Sequence, residues 1–137
     1  MPIRLAILGL AMAASSAAIA DQRYPAFPLL STGTSVAGET IRYPTDGAAR
    51  ITAAIVTLGP GESTVRHKHG VPMFGYILDG ELTVDYGARG KRRFVKGDAL
   101  MEAMDVAHQG TNTGDIPVRI LAVYMGAEGA SNVAVSE

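Results

Sequence analysis

The chain contains three histidines, and two of them stand one residue apart in the stretch VRHKHGVPMFGYILDG, Val65 to Gly80. In extended backbone, residues i and i+2 point to the same side. His67 and His69 therefore project together, roughly 6–7 Å apart at the backbone. Two imidazoles at that spacing can converge on one ion, at about 2.0–2.1 Å each for zinc. The third, His108, lies in DVAHQGTN, beyond two intervening strand-like segments. A single histidine is more often a hydrogen-bonded structural residue than a ligand. The full complement of three, two of them in H-x-H, points to a metal. Other chemistry is poorly supplied. With no cysteine in the chain there is no thiol nucleophile and no disulfide. No Gly-x-Ser-x-Gly and no phosphate-binding glycine loop occurs either. Any catalysis has to run through the metal. Glu102 and Asp105 precede His108. Either can orient a ligand imidazole from behind, although turn formation and surface charge are the commoner roles of such residues.

The elements that must position these side chains read as strands. RITAAIVTL is a strand ended by the turn GPGE. PMFGYIL is another, closed by Asp79-Gly80, a pair that signals a hairpin. By parity Met73, Gly75 and Ile77 share the inner face, while Phe74, Tyr76 and Leu78 face the other way and suit packing or a dimer contact. In ELTVDY, Leu82, Val84 and Tyr86 lie on one face and Glu81, Thr83 and Asp85 on the other. GARGK turns the chain, and RRFVKG leads into a tight turn at Gly97-Asp98. VRILAVYMG is almost wholly apolar, the pattern of a strand buried on both faces. DALMEAMDVAH has helical propensity, but strands recur around it every 8–12 residues, which indicates an all-β sandwich or small barrel. The tail AEGASNVAVSE, residues 127–137, is small and polar and is expected to be loosely held.

The bulk of the chain sets outer limits. Its 137 residues make one ordinary domain. The first twenty have the layout of a secretory signal peptide: Arg4, an apolar run, and Ala18-Ile19-Ala20 before Asp21. Leu5 to Ala20 is shorter than the roughly 20 residues that span a bilayer, so a membrane anchor is not expected. No cysteine follows the run and no Arg-Arg pair precedes it, which leaves export of an unfolded chain to the bacterial periplasm or beyond. The remaining domain, 21–137, carries 11 basic and 13 acidic residues once Arg4 is gone, a balance of −2. That is no footprint for nucleic acid. The basic cluster ARGKRRFVK sits at a glycine-rich turn and reads as a solvated tip.

The chain resembles a small single-domain cupin. The first cupin motif is G-x5-H-x-H-x3,4-E-x6-G, and here Gly61, His67, His69 and Gly80 fall at the required spacings with Met73 in place of the glutamate. The second is G-x5-P-x-G-x2-H-x3-N. Gly97, His108 and Asn112 match it, while Ala103 and Asp105 replace the proline and the glycine. The resemblance implies an all-β double-stranded β-helix, the cupin jelly-roll barrel, with its core at about 50–126. It implies that His67, His69 and His108 hold one transition-metal ion, and that cupin-style pairing makes a homodimer. Met73 cannot offer a hard oxygen; it is a weak thioether donor or, more simply, apolar wall. The centre keeps at least one open position. Gly75, Ile77, Met101, Met104 and Val123 are expected to line a pocket for a small, partly apolar ligand. Zinc or copper is favoured for a chain that folds after export, because uncontrolled affinity follows the divalent order; iron fits the dioxygenases that share three histidines. A metal-dependent enzyme of dioxygenase, isomerase or lyase type follows from the resemblance, with a non-catalytic metal- or ligand-binding module as the alternative.

Overall fold

The computed structural model describes residues 25–136. The expected signal peptide, 1–20, lies outside them. Among the described residues nine strands follow in order: β1 Ala49–Leu58, β2 His67–Lys68, β3 Met73–Asp79, β4 Glu81–Asp85, β5 Lys91–Val95, β6 Ala99–Met101, β7 Gln109–Thr111, β8 Val118–Ala127 and β9 Ala134–Val135. All pairings between them are antiparallel. One sheet runs β1-β8-β3-β6, a second β5-β4-β7, and β2 pairs with β9. The helical content of these residues is a single 3-10 turn, Gly87–Arg89. The all-β expectation holds, and DALMEAMDVAH forms β6 and a series of bends rather than a helix. Among the described residues no helix is long and apolar enough to cross a membrane.

The two larger sheets close over a core of Ile77, Leu82, Val84, Tyr86, Ala103, Val118 and Ile120. The alternation read in ELTVDY is kept, with Leu82, Val84 and Tyr86 all buried. Removing a side chain such as Ile77, fully buried in this cluster, costs about 2–5 kcal/mol by transfer and cavity terms together.

Two expectations need correcting. Asp79-Gly80 is a corner, not a hairpin: β3 and β4 belong to different sheets. The β3–β8 ladder slips between Ile77 and Asp79, and Gly80, at φ 72°, carries the chain across. A side chain there would sit 2.7 Å from the Pro117 carbonyl, so the residue is needed for space as well as for backbone freedom. β8 is not buried on both faces: Val118, Ile120 and Ala122 are buried, while Leu121, Val123 and Met125 remain half-exposed. The tail, within the described residues, makes backbone contacts with the first histidine strand. Ser136 N–H donates to the Arg66 carbonyl at 3.0 Å, and β9 runs alongside His67 and Lys68.

Candidate metal centre

His67, His69 and His108 come together as the H-x-H spacing suggests. Their ligand nitrogens all lie within 4.8 Å of one another, and the ring centroids are 4.5–5.1 Å apart. Different elements deliver them. His67 begins β2 and exchanges backbone hydrogen bonds with His108, 2.9 Å each way. His69 N–H donates to the Met104 carbonyl at 3.1 Å. The cluster therefore spans both motifs and is locked by main-chain bonds.

Each Nδ1 faces a backbone carbonyl: Val65 at 2.8 Å for His67, Asn132 at 3.0 Å for His69 and Val106 at 2.9 Å for His108. A carbonyl only accepts, so each Nδ1 must carry the proton and each Nε2 keeps its lone pair. The lone pairs are then turned toward one another. His69 and His108 are 3% and 2% exposed, and their Nε2 atoms have no hydrogen-bond partner. Buried acceptors left so are costly. A cation removes that cost, so the donor set fits a metal ion. Burial holds all three imidazoles below the ordinary value of 6.5, His69 down to about 4. They stay neutral, the form a metal requires.

Sequence reasoning undervalued one residue here and missed another. Glu102 is 5% exposed and lines the same cavity. Its Oε1 accepts from the Tyr86 hydroxyl at 2.7 Å and from Ala103 N–H at 2.8 Å. Its Oε2 lies 3.9 Å from His108 Nε2. Burial raises its carboxyl above the ordinary range, against the pull of those two hydrogen bonds. Glu39 lies far upstream, outside both motifs. Its carboxylate accepts from Ser35 Oγ, from Met104 N–H at 2.9 Å, and from Asp105 and Val106 N–H at 2.7 and 3.0 Å. It thus clamps the bend that leads into His108. An isolated glutamate in SVAGET carries no local pattern to announce this. Asp105 points away, paired with Arg42 at the surface. Asn112 is fully buried and structural: it donates to the Leu58 and Ile116 carbonyls and accepts from Gly114 N–H.

The cavity beside the histidines has a volume of about 80 Å³. Its walls include Val56, Thr64, Met73, Val84, Ile120, Ala122 and Tyr124. Of the pocket residues expected from sequence, Met73 alone lines it. Val123 and Met101 lie on the other face, because β8 presents Ile120, Ala122 and Tyr124 inward and Phe74 pairs with both Val123 and Met101. Gly75 faces inward, but Leu100 occupies the space it leaves: a side chain on Gly75 would meet Leu100 at 3.1 Å. Ile77 belongs to the core below, and Met104 is buried without reaching the cavity.

The sequence matches the cupin domain over residues 54–124. No curated protein matches it. Among solved structures, oxalate decarboxylase of Lactobacillus farciminis in complex with formate is similar at 26% identity and a TM-score of 0.54, covering 62% of this chain and 26% of that one. Oxalate decarboxylase of Bacillus subtilis, in one of its single-site variants, is 23% identical with a TM-score of 0.51, over 62% of this chain and 23% of the other. DMSP lyase of Ruegeria pomeroyi is 22% identical with a TM-score of 0.53, over 63% of this chain and 43% of the lyase. The chain thus spans about a quarter of the decarboxylases and less than half of the lyase.

Proposed function

The chain belongs to the cupin family, and on that footing we propose that it is an exported, mononuclear metal-dependent enzyme of dioxygenase or related isomerase or lyase type. The observation that carries the metal is the set of three imidazoles whose Nδ1 atoms are tied to carbonyls and whose Nε2 atoms face one another. His67, His69 and His108 would hold the ion. When bound, it supplies Lewis acidity and open positions for a chelating ligand.

The chain's own residues set the rest. Val56, Ile120, Ala122 and Met73 give the cavity a largely apolar wall. The cavity is small, about 80 Å³. The substrate class is therefore a small molecule whose chelating end is its main feature. Similarity to a decarboxylase of oxalate, itself a small acid, is consistent with that size. Glu102 and Tyr124 also line the cavity, and the Glu102 carboxyl, raised by burial, is available to hold a proton.

Zinc or copper is the ion favoured in a chain that folds after export; iron would accompany oxygen chemistry. The remaining parts of the reading concern address and assembly. Residues 1–20 are proposed to direct export and to be removed before Asp21. The outer face of the four-stranded sheet is proposed to pair two protomers. There Ile51 stands opposite Met125, Ile55 opposite Leu121, and Tyr76 opposite Leu121, with Ile51 and Ile55 62% and 48% exposed. Apolar sheet faces of that kind mark interfaces.

Elemental analysis of untagged protein recovered from its own periplasm tests this. About one equivalent of zinc, copper or iron is expected, followed by turnover or oxygen consumption with diketones, catechols or thiols. Uptake without turnover would make the chain a binding module. No metal, and none taken up on addition, would remove the metalloprotein reading.

A further inference from the structure

A three-histidine centre leaves one position of the first motif unexplained, the one Met73 fills. Directly across the β3–β6 ladder from it stands Glu102. The register pairs Phe74 with Met101, and the next rung is the bond from Glu102 N–H to the Met73 carbonyl, 2.9 Å. Side chains directly opposite on antiparallel strands share a face, and both of these line the same cavity. A carboxylate at 73 and one at 102 therefore approach the same region from neighbouring strands.

Glu102 is also built for use. A carboxylate 5% exposed is expensive unless it is paired or coordinates a cation. Among the described residues no lysine or arginine lines its cavity. The Tyr86 hydroxyl and Ala103 N–H hold Oε1 and so fix the plane of the group. Oε2 carries neither of those bonds and stands 3.9 Å from His108 Nε2, itself without a partner. Two acceptors face each other, and a shared cation satisfies both. Resting on the three-histidine reading above, we propose that Glu102 Oε2 is the fourth protein ligand. The carboxylate of the first motif has in effect moved one strand across, into the second motif, and Met73 is left as apolar wall. The centre then carries a hard oxygen after all, and its preference is not confined to soft or borderline metals.

Three variants test this: Glu102→Gln, Met73→Glu, and the two combined, each metal-free and compared with the wild type. In Glu102→Gln the amide keeps an oxygen for Tyr86 and Ala103, and its nitrogen can donate to His108 Nε2. The metal-free variant should therefore unfold no earlier than the wild type. Zinc affinity is measured by competition with a chromophoric chelator, and cobalt(II) is added to read the ligand field by absorption. Glu102→Gln is expected to weaken zinc binding roughly 100-fold or more, since groups that only support a ligand already cost about 10–100-fold. It should also change the cobalt spectrum. Adding Met73→Glu should recover both. Wild-type affinity and spectrum in Glu102→Gln would overturn the fourth ligand while leaving the histidine centre standing. A loss that Met73→Glu does not recover would also overturn it, reducing Glu102 to a support. No uptake by the wild type would remove the histidine centre, and this proposal with it.

Discussion

Glu39→Gln is the perturbation whose outcome the structure fixes most closely. Oε1 of Glu39 accepts from Asp105 and Val106 N–H, and Oε2 from Met104 N–H and Ser35 Oγ. The amide replaces one of those oxygens with a donor, so two of the four bonds are lost whichever way it turns. Hydrogen bonds to a charged group are worth about 1.5–3 kcal/mol each. The carboxylate is only partly buried, and solvent screening roughly halves that. The expected loss is about 1.5–3 kcal/mol, a fall in Tm on the order of 10 °C for a domain of this size. The pH dependence follows from the same contacts. Burial alone would raise the Glu39 carboxyl, but the bonds from Met104, Ser35, Asp105 and Val106 more than offset it and bring it below 4.5. A carboxyl lowered by folding stabilises above its unfolded value and loses that contribution as pH falls through the folded one. Urea unfolding of the metal-free protein should therefore show the full gap between wild type and variant at pH 7 and a closing gap below about pH 4.5. A gap under about 0.5 kcal/mol at pH 7, or one that persists unchanged at pH 3, would refute the clamp.

Further outcomes follow from the same contacts. His67→Ala and His108→Ala should each lower bound metal well below one equivalent by elemental analysis; full wild-type content in either would remove the ligand assignment. The metal-free protein should lose stability as pH drops from 6.5 toward 4, because the buried imidazoles bind protons less readily than the unfolded chain does. For His69, lowered from 6.5 to about 4, that is about 3 kcal/mol, and a flat profile over that range in chemical denaturation would contradict it. Ile51→Asp with Ile55→Asp should turn a dimer into a folded monomer in sedimentation velocity, with the β-sheet circular dichroism retained and the concentration dependence of Tm lost. A wild-type monomer at micromolar concentration would dispose of the proposed interface.

Much of this was legible in the residues. Two histidines at i and i+2 share a side whatever surrounds them, and His108 was the remaining candidate for a third. The alternation of Leu82, Val84 and Tyr86 against polar neighbours needed no partner strand to be read. What failed were inferences that depend on pairing. Asp79-Gly80 looks the same whether the next strand folds back on its neighbour or crosses to another sheet; a slip in the β3–β8 ladder decides it. Val123 looks as apolar as Ala122, and only register shows which of the two faces the cavity. Gly75 signalled space correctly, but Leu100 is what fills it. Glu39 was invisible as a site residue, and Glu102 was undervalued, for a different reason. Their partners are mostly main-chain N–H groups and one tyrosine hydroxyl, which leave no spacing behind.

The C-terminal segment has a consequence of its own. The strand that begins with His67 takes its ladder partner from β9, and His69 takes its carbonyl from Asn132, 63 residues further along. The centre is thus fastened by a clasp rather than contained in one stretch of chain. An ion that recognises only the fastened form draws the whole molecule toward it, by about 2.7 kcal/mol at a hundredfold excess over its Kd. Supply of the ion then governs survival as well as reactivity. If the ion binds as proposed, molecules without it should open this clasp more often and be trimmed there first by a protease.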